Sequence, residues 1–247
     1  MKKRIPLLLP LFALALSGCE IIDEGLRAER VRGSGKVIQE KRDVRGFSGV
    51  KLASVGDLSI RQGNQESLTV EAEDNILPLI KTEVEGGTLT IRTERGVSLS
   101  PTVPVRYTLV VKELGDVELS GSGNIRTEAI KSQDFRVRLS GSGGVRLGEL
   151  TANTLTSEIS GSGHVEVPGK VASQKVHISG SGDYDGSNLH SQSADISVSG
   201  SGDSKVWVED ELVVHVSGSG SVDYYGNPKV SQHTSGSGRI HNLGNRP

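Results

Sequence analysis

Residues 117–126 read VELSGSGNIR and residues 137–146 read VRLSGSGGVR. Both place Ser-Gly-Ser-Gly between two short runs in which apolar and polar residues alternate. The tetrapeptide begins again at Ser160, Ser179, Ser199, Ser217 and Ser235, so seven copies stand 20, 20, 19, 20, 18 and 18 residues apart. A Gly/Ser linker would be contiguous, whereas punctuation at near-constant spacing marks a structural repeat.

Alignment on the first serine makes the neighbouring columns informative. The residue before it is Leu119, Leu139, Ile159, Ile178, Val198, Val216 and Thr234. Two positions earlier stand Val117, Val137, Ser157, Val176, Ile196, Val214 and Gln232, with Glu118, Arg138, Glu158, His177, Ser197, His215 and His233 in between. Five residues after the first serine come Ile125, Val145, Val165, Tyr184, Ser204, Val222 and Ile240. This is strand periodicity, aliphatic on one face and polar on the other. The pattern predicts an all-β solenoid with coils of about 20 residues, in which equivalent residues stack about 4.8 Å apart. Glu118, Arg138 and Glu158 then form a ladder of alternating charge.

The glycines admit two readings. If the strand runs straight through, they face inward and let the opposite wall approach. If the chain turns a corner there, they supply positive φ. In both cases the serines recur every coil and can form hydroxyl ladders. The rest of the coil is looser: Ile130/Ser132/Phe135 match Leu150/Ala152/Leu155, and Leu189/Ser191 continue the theme. Residues 33–115 lack the tetrapeptide but contain alternating runs at 50–52, 58–60, 68–70 and 89–91, with Glu85-Gly86-Gly87 as a turn. They are expected to continue the solenoid as irregular coils, 116–242 being the repeat coils. A separate small β-domain is the alternative.

The chain opens with Lys2, Lys3 and Arg4 before an apolar run from Ile5 to Leu16, the layout of a secretory signal too short to span a bilayer. Leu16-Ser17-Gly18-Cys19 follows and resembles the lipobox of bacterial lipoproteins. That resemblance implies removal of residues 1–18 and lipidation of Cys19, the one cysteine in the chain. It makes the membrane a partner through that lipid, and Glu20 after the cysteine favours the outer membrane over the inner. Residues 19–32 read as a lipidated N-terminus and tether without strand pattern. Removing 1–18 leaves 25 Lys+Arg against 30 Asp+Glu, a net charge of −5, which argues against nucleic acid as a partner. Only 8 residues are aromatic, few for a globular core but adequate for stacked aliphatic rows.

Three constellations merit weighing as sites. Trp207 and Tyr225 stand eight residues after their serines, on the outward parity, with Tyr224 beside them. They suggest a platform for a sugar ring or a cap on the tapering end. His177, His215 and His233 can bring two imidazoles toward one metal ion, although a solvated ladder is the simpler reading. Asp183, Asp185, Asp203 and Asp223 follow the glycines and are weighed as Ca²⁺ ligands between coils or as acids of a polysaccharide-active enzyme, with Lys205 nearby. Solvated edges explain them equally well. No Gly-x-Gly opens a helix, and the repeated serines lack an oriented base. No catalytic residue, resident metal or cofactor is expected.

Gly33-Ser34-Gly35-Lys36, Arg45-Gly46-Phe47-x-x-Val50 and Glu83-Val-Glu-Gly-Gly-Thr-Leu89-Thr-Ile91 resemble the start of the head GIN domain family of auto-transporter adhesins. The serial SGSG strands and Tyr225-Gly-Asn-Pro228-Lys-x-Ser231 look like its second half. The resemblance covers about 33–240 and implies a right-handed parallel β-helix in an exported or lipid-anchored protein, with no catalytic residues to carry over. The expectation is a non-enzymatic cell-envelope interaction module, binding a cell-surface glycan or protein. An enzyme and an oligomerising structural protein are the alternatives.

Overall fold

The computed structural model describes residues 28–246. Residues 1–18 and Cys19 lie outside them. In the repeat region each coil consists of short strands, as in Asp116–Leu119, Asn124–Thr127 and Ile130–Lys131. Each strand pairs in parallel with its equivalent one coil on, giving about six turns with bridges some 20 residues apart. Later coils fuse their sides into longer strands, Asp183–Gly200 and Ser204–Gly218. The aligned columns are the stacked rows. Leu119 pairs with Leu139, then Ile159, Ile178, Val198, Val216 and Thr234 in turn. All the aliphatic residues of that row are buried, each worth about 1.5–3 kcal/mol relative to exposure.

The tetrapeptide is a corner between two sides of a coil, and its glycines answer to the coil beneath rather than to the opposite wall. A Cβ on Gly143 would stand 1.7 Å from the Gly123 carbonyl oxygen, and one on Gly163 would stand 2.1 Å from that of Gly143. The first glycines meet the same obstacle, Gly141 over Gly121 and Gly161 over Gly141. Positive φ occurs at the first glycine only in the last three copies, Gly200, Gly218 and Gly236. The serine hydroxyls do not form the expected ladders. Among the described residues these corners are joined by backbone bonds, such as Ser140 N–H to Leu119 O (2.9 Å).

The N-terminal part contributes two further layers, stacked out of chain order. Gly49–Ala53 and Asp57–Gln62 lie directly beneath the first repeat coil, pairing with Asp116–Leu119 and Asn124–Thr127. Beneath them lie Thr88–Thr93 and Arg106–Val111. Antiparallel strands Ser67–Glu73 and Ile80–Glu85 close that end, with Val37–Arg42 outermost. The wholly buried Glu73 pins this region. It accepts the Gly35 amide (2.7 Å), the Thr102 amide (3.0 Å) and the Thr102 hydroxyl. The tether expected over 19–32 is shorter than its sequence suggested. Glu29–Arg32 form a strand parallel to Val97–Ser100. Its side chains are largely exposed, so backbone pairing holds it and no alternation betrays it.

Candidate functional site

The second side of each coil starts just after the tetrapeptide, and its outward residues carry most of the weighed candidates. Trp207 and Tyr225 are register partners on successive coils, and His190 is the register partner of Trp207 on the other side. The His190 and Trp207 rings meet edge to face at 4.7 Å, and His190 Nε2 lies 3.1 Å from Glu209. Tyr224 is not part of this shelf. It pairs with Val206 in the inward row and packs half-buried against the core, because alternation from buried Val222 turns it inside.

The shelf already has an occupant. The Arg246 guanidinium lies 5.4 Å from the Trp207 ring centre and 5.5 Å from that of Tyr225, and it also donates to the Asn188 side chain. Backbone bonds from Leu243 N–H to Tyr224 O (2.8 Å) and Gly226 N–H to Gly244 O (3.0 Å) strap the terminal segment down. Asn188 belongs to an irregularity where the coil register shifts between Gly186 and His190. Beneath the shelf runs a buried polar strut joining all three sides of the coil. Tyr184 OH donates to Gln174 Oε1 (3.0 Å), Gln174 Nε2 to Ser191 Oγ (2.8 Å), and Ser191 Oγ to the Trp207 carbonyl (2.9 Å). Burial drives the Tyr184 phenol far above its ordinary pKa, so it remains a donor. The strut holds the Trp207 backbone and hence the direction of its ring.

The aspartates line an open hollow of about 880 Å³ with Lys205, Arg239 and His241. Two of them are committed to stacking: Asp183 accepts the Asp203 amide (3.1 Å), and Asp203 accepts the Ser221 amide (2.8 Å). Burial raises the Asp185 carboxyl, but hydrogen bonds from Ser187 and the charges of Lys205 and His164 outweigh it, leaving the pKa below the usual aspartate value. Its low pKa keeps it an anion, the wrong state for a general acid. His177 and His215 are separated in the stack by Ser197, whereas the His215 and His233 rings lie 6.4 Å apart. Among the described residues no three metal-binding side chains converge. On the first side the charge ladder is real and one member longer than the repeat suggested. Lys51 lies 2.6 Å from Glu118, and Arg138 stands 3.7 Å from both Glu118 and Glu158.

The family model described as "Putative auto-transporter adhesin, head GIN domain" matches residues 46–228. The chain belongs to this family. Solved structures of similar fold include a "putative adhesin" of Bacteroides fragilis, with 24% identity, TM-score 0.83, and 86% of this chain and 100% of that one covered. A "putative lipid binding protein" of Parabacteroides distasonis shares 24% identity at TM-score 0.75, covering 87% of this chain and 100% of that one. A "putative adhesin" of Parabacteroides merdae shares 20% identity at TM-score 0.66, covering 87% and 100%. At these identities the likeness is one of fold. No curated protein sequence matches the chain.

In this head GIN domain Arg246, His190 and Asn188 carry no signal in the sequence. Arg246 lies in a terminal strap with no alternation. His190 and Asn188 sit beside the register shift, where counting from the tetrapeptide loses its phase. Only the outward parity of Trp207 and Tyr225 was visible beforehand.

Proposed function

We propose that this head GIN domain is a non-enzymatic, lipid-anchored interaction module of the cell envelope, in the manner of an adhesin, and that the Trp207–Tyr225 shelf holds a sugar ring of a cell-surface glycan. The observation that carries the reading is the guanidinium lying across both rings. The shelf accepts a flat group with a partially positive face, and the C–H face of a pyranose is another such group. Asn188, His190 and Glu209 at the margin supply hydrogen-bonding partners for ring hydroxyls. The non-enzymatic part is supported by Asp183 and Asp203, whose carboxylates serve the next coil's amides. The anchor is supported by the lipobox-like stretch ending in Cys19, since several acyl chains hold a protein at a membrane stably.

Glycan-array binding by the full chain is the test. Trp207→Ala should abolish retention of any bound glycan, whereas Arg246→Ala should strengthen it by uncovering the rings. Retention unchanged by Trp207→Ala while melting falls would make the aromatics a mere end cap and sink the glycan reading. Membrane fractionation tests the anchor separately: Cys19→Ala should move the protein from the envelope fraction to the soluble one.

A further inference from the structure

The two ends of the solenoid differ. At the N-terminal end, Thr88–Thr93 and Arg106–Val111 are covered by the antiparallel strands 80–85 and 67–73. At the other end Lys229–Gly236 pairs on one side with 211–218, and Arg239–Asn242 with 221–224. Among the described residues no strand pairs with their far side. Backbone groups in a strand point alternately to its two neighbours, so half of those in 229–236 face outward from the stack. Such an edge is a template for one more strand.

Its chemistry is one-sided. Residues 224–246 contain no Asp or Glu, while Lys229, His233, Arg239 and His241 stand on the two edge strands, Arg239 and His241 also bordering the aspartate-lined hollow. The stack itself shows how such charges are answered. Lys51 meets Glu118, which meets Arg138, which meets Glu158. Lys175 lies 3.8 Å from Asp195, Glu211 is the register partner of Lys229, and His241 lies 3.8 Å from Asp223. Cations on one coil are met by acids on an adjoining coil. Lys229 and His241 have Glu211 and Asp223 beneath them, and among the described residues no coil lies on their other side to answer them a second time. The inward positions of this last coil have changed too: Val214 and Val216 give way to exposed Gln232 and Thr234, which tolerate water until covered.

We propose that this basic open edge binds an extended acidic segment of another protein, which adds as a further strand and places its carboxylates against Lys229 and Arg239. A second copy in tail-to-tail contact is the wrong occupant, because it would set these cations against each other. The surface is separate from the aromatic shelf, so the glycan reading can fail while this one stands.

The test uses the full chain in detergent and two labelled peptides of about eight residues. One alternates valine or threonine with glutamate, and the other replaces each glutamate by lysine. Fluorescence anisotropy should show the glutamate peptide binding at least about tenfold more tightly, with the difference shrinking at high salt. Lys229→Glu combined with Arg239→Glu alters two exposed side chains and should reverse the preference, with an unchanged melting temperature as the control for folding. Equal binding of both peptides, no binding, or indifference to the charge reversal would overturn the proposal. So would capture by phosphatidylglycerol vesicles that outcompetes the peptide, or a dimer seen by light scattering and abolished by the same variant.

Discussion

The layer at 49–62 and the repeat coils above it turn the same corner with different residues. Leu52 and Asp57 are the register partners of Leu119 and Asn124, so Ala53-Ser54-Val55-Gly56 occupies the place of Ser120-Gly121-Ser122-Gly123. Glycine is kept at the fourth place, where Gly56 has φ +107° and a Cβ would stand 2.6 Å from the Val105 carbonyl oxygen. At the second place Ser54 is tolerated because the layer beneath makes no such corner. Its chain leaves the stack between Thr93 and Arg106, and Ser54 Oγ uses the space to bond Thr93 Oγ1 at 2.9 Å. One coil higher that freedom is gone, since a Cβ on Gly121 would stand 2.2 Å from the Ser54 carbonyl oxygen. The first glycine of the motif, at its second place, is therefore a consequence of corner resting on corner.

This contrast predicts its own largest effect. Gly141→Ala should cost about 3 kcal/mol or more in denaturant unfolding, because the new Cβ is fixed rigidly to the backbone and would stand 2.0 Å from the Gly121 carbonyl oxygen, itself backbone. Ser54→Ala, which keeps a Cβ at the same place of the lower corner and gives up the hydroxyl bond to Thr93, should cost only about 1 kcal/mol. Equal losses would remove the distinction between the two regions. The next effect is local to the N-terminal cap. The Thr102 hydroxyl bond, aided by amides of Thr102 and Gly35, holds the Glu73 pKa below its ordinary value despite burial. A depressed pKa means stability that is fully present above the ordinary glutamate range and lost as pH falls through the lowered value. Protection of the Gly35 and Thr102 amides, relative to their intrinsic exchange rates, should therefore fall at acid pH while the amides of 134–178 stay protected, and Glu73→Gln should reproduce the loss at neutral pH. Smallest is the charge ladder. Arg138→Met should cost about 0.5–1 kcal/mol at low salt and less at high salt, since its partners are partly exposed.

Register in the repeat coils was legible because each tetrapeptide restarts the count, so Val117 finds Val137 and Ile125 finds Val145 without any structural input. What was hidden lies where no marker restarts it. Alternation over 33–115 predicts irregular coils continuing the solenoid. The runs at 50–52 and 89–91 do stack on each other, but in inverted order, since aliphatic strands are interchangeable as stacking partners. Their order is set by the antiparallel return through 67–85, which alternation does not encode. For the candidate site, parity put Trp207 and Tyr225 on the outside. The buried strut was invisible because Gln174 and Ser191 stand in an inward row where the pattern asks for aliphatics. Tyr224 was misassigned by proximity to Tyr225, although its spacing from Val222 already points it inward.

The inverted order of the first layers has a consequence for how such molecules vary in length. Residues 49–62 are held between 88–111 below and 116–127 above, so the layers of this base are joined out of chain order and no turn can be inserted among them without moving several others. Above it every coil touches only its predecessor and its successor. A whole turn can therefore be added or removed in that upper stretch with only its two neighbours to re-form, making the molecule taller or shorter while its foundation keeps its pairings.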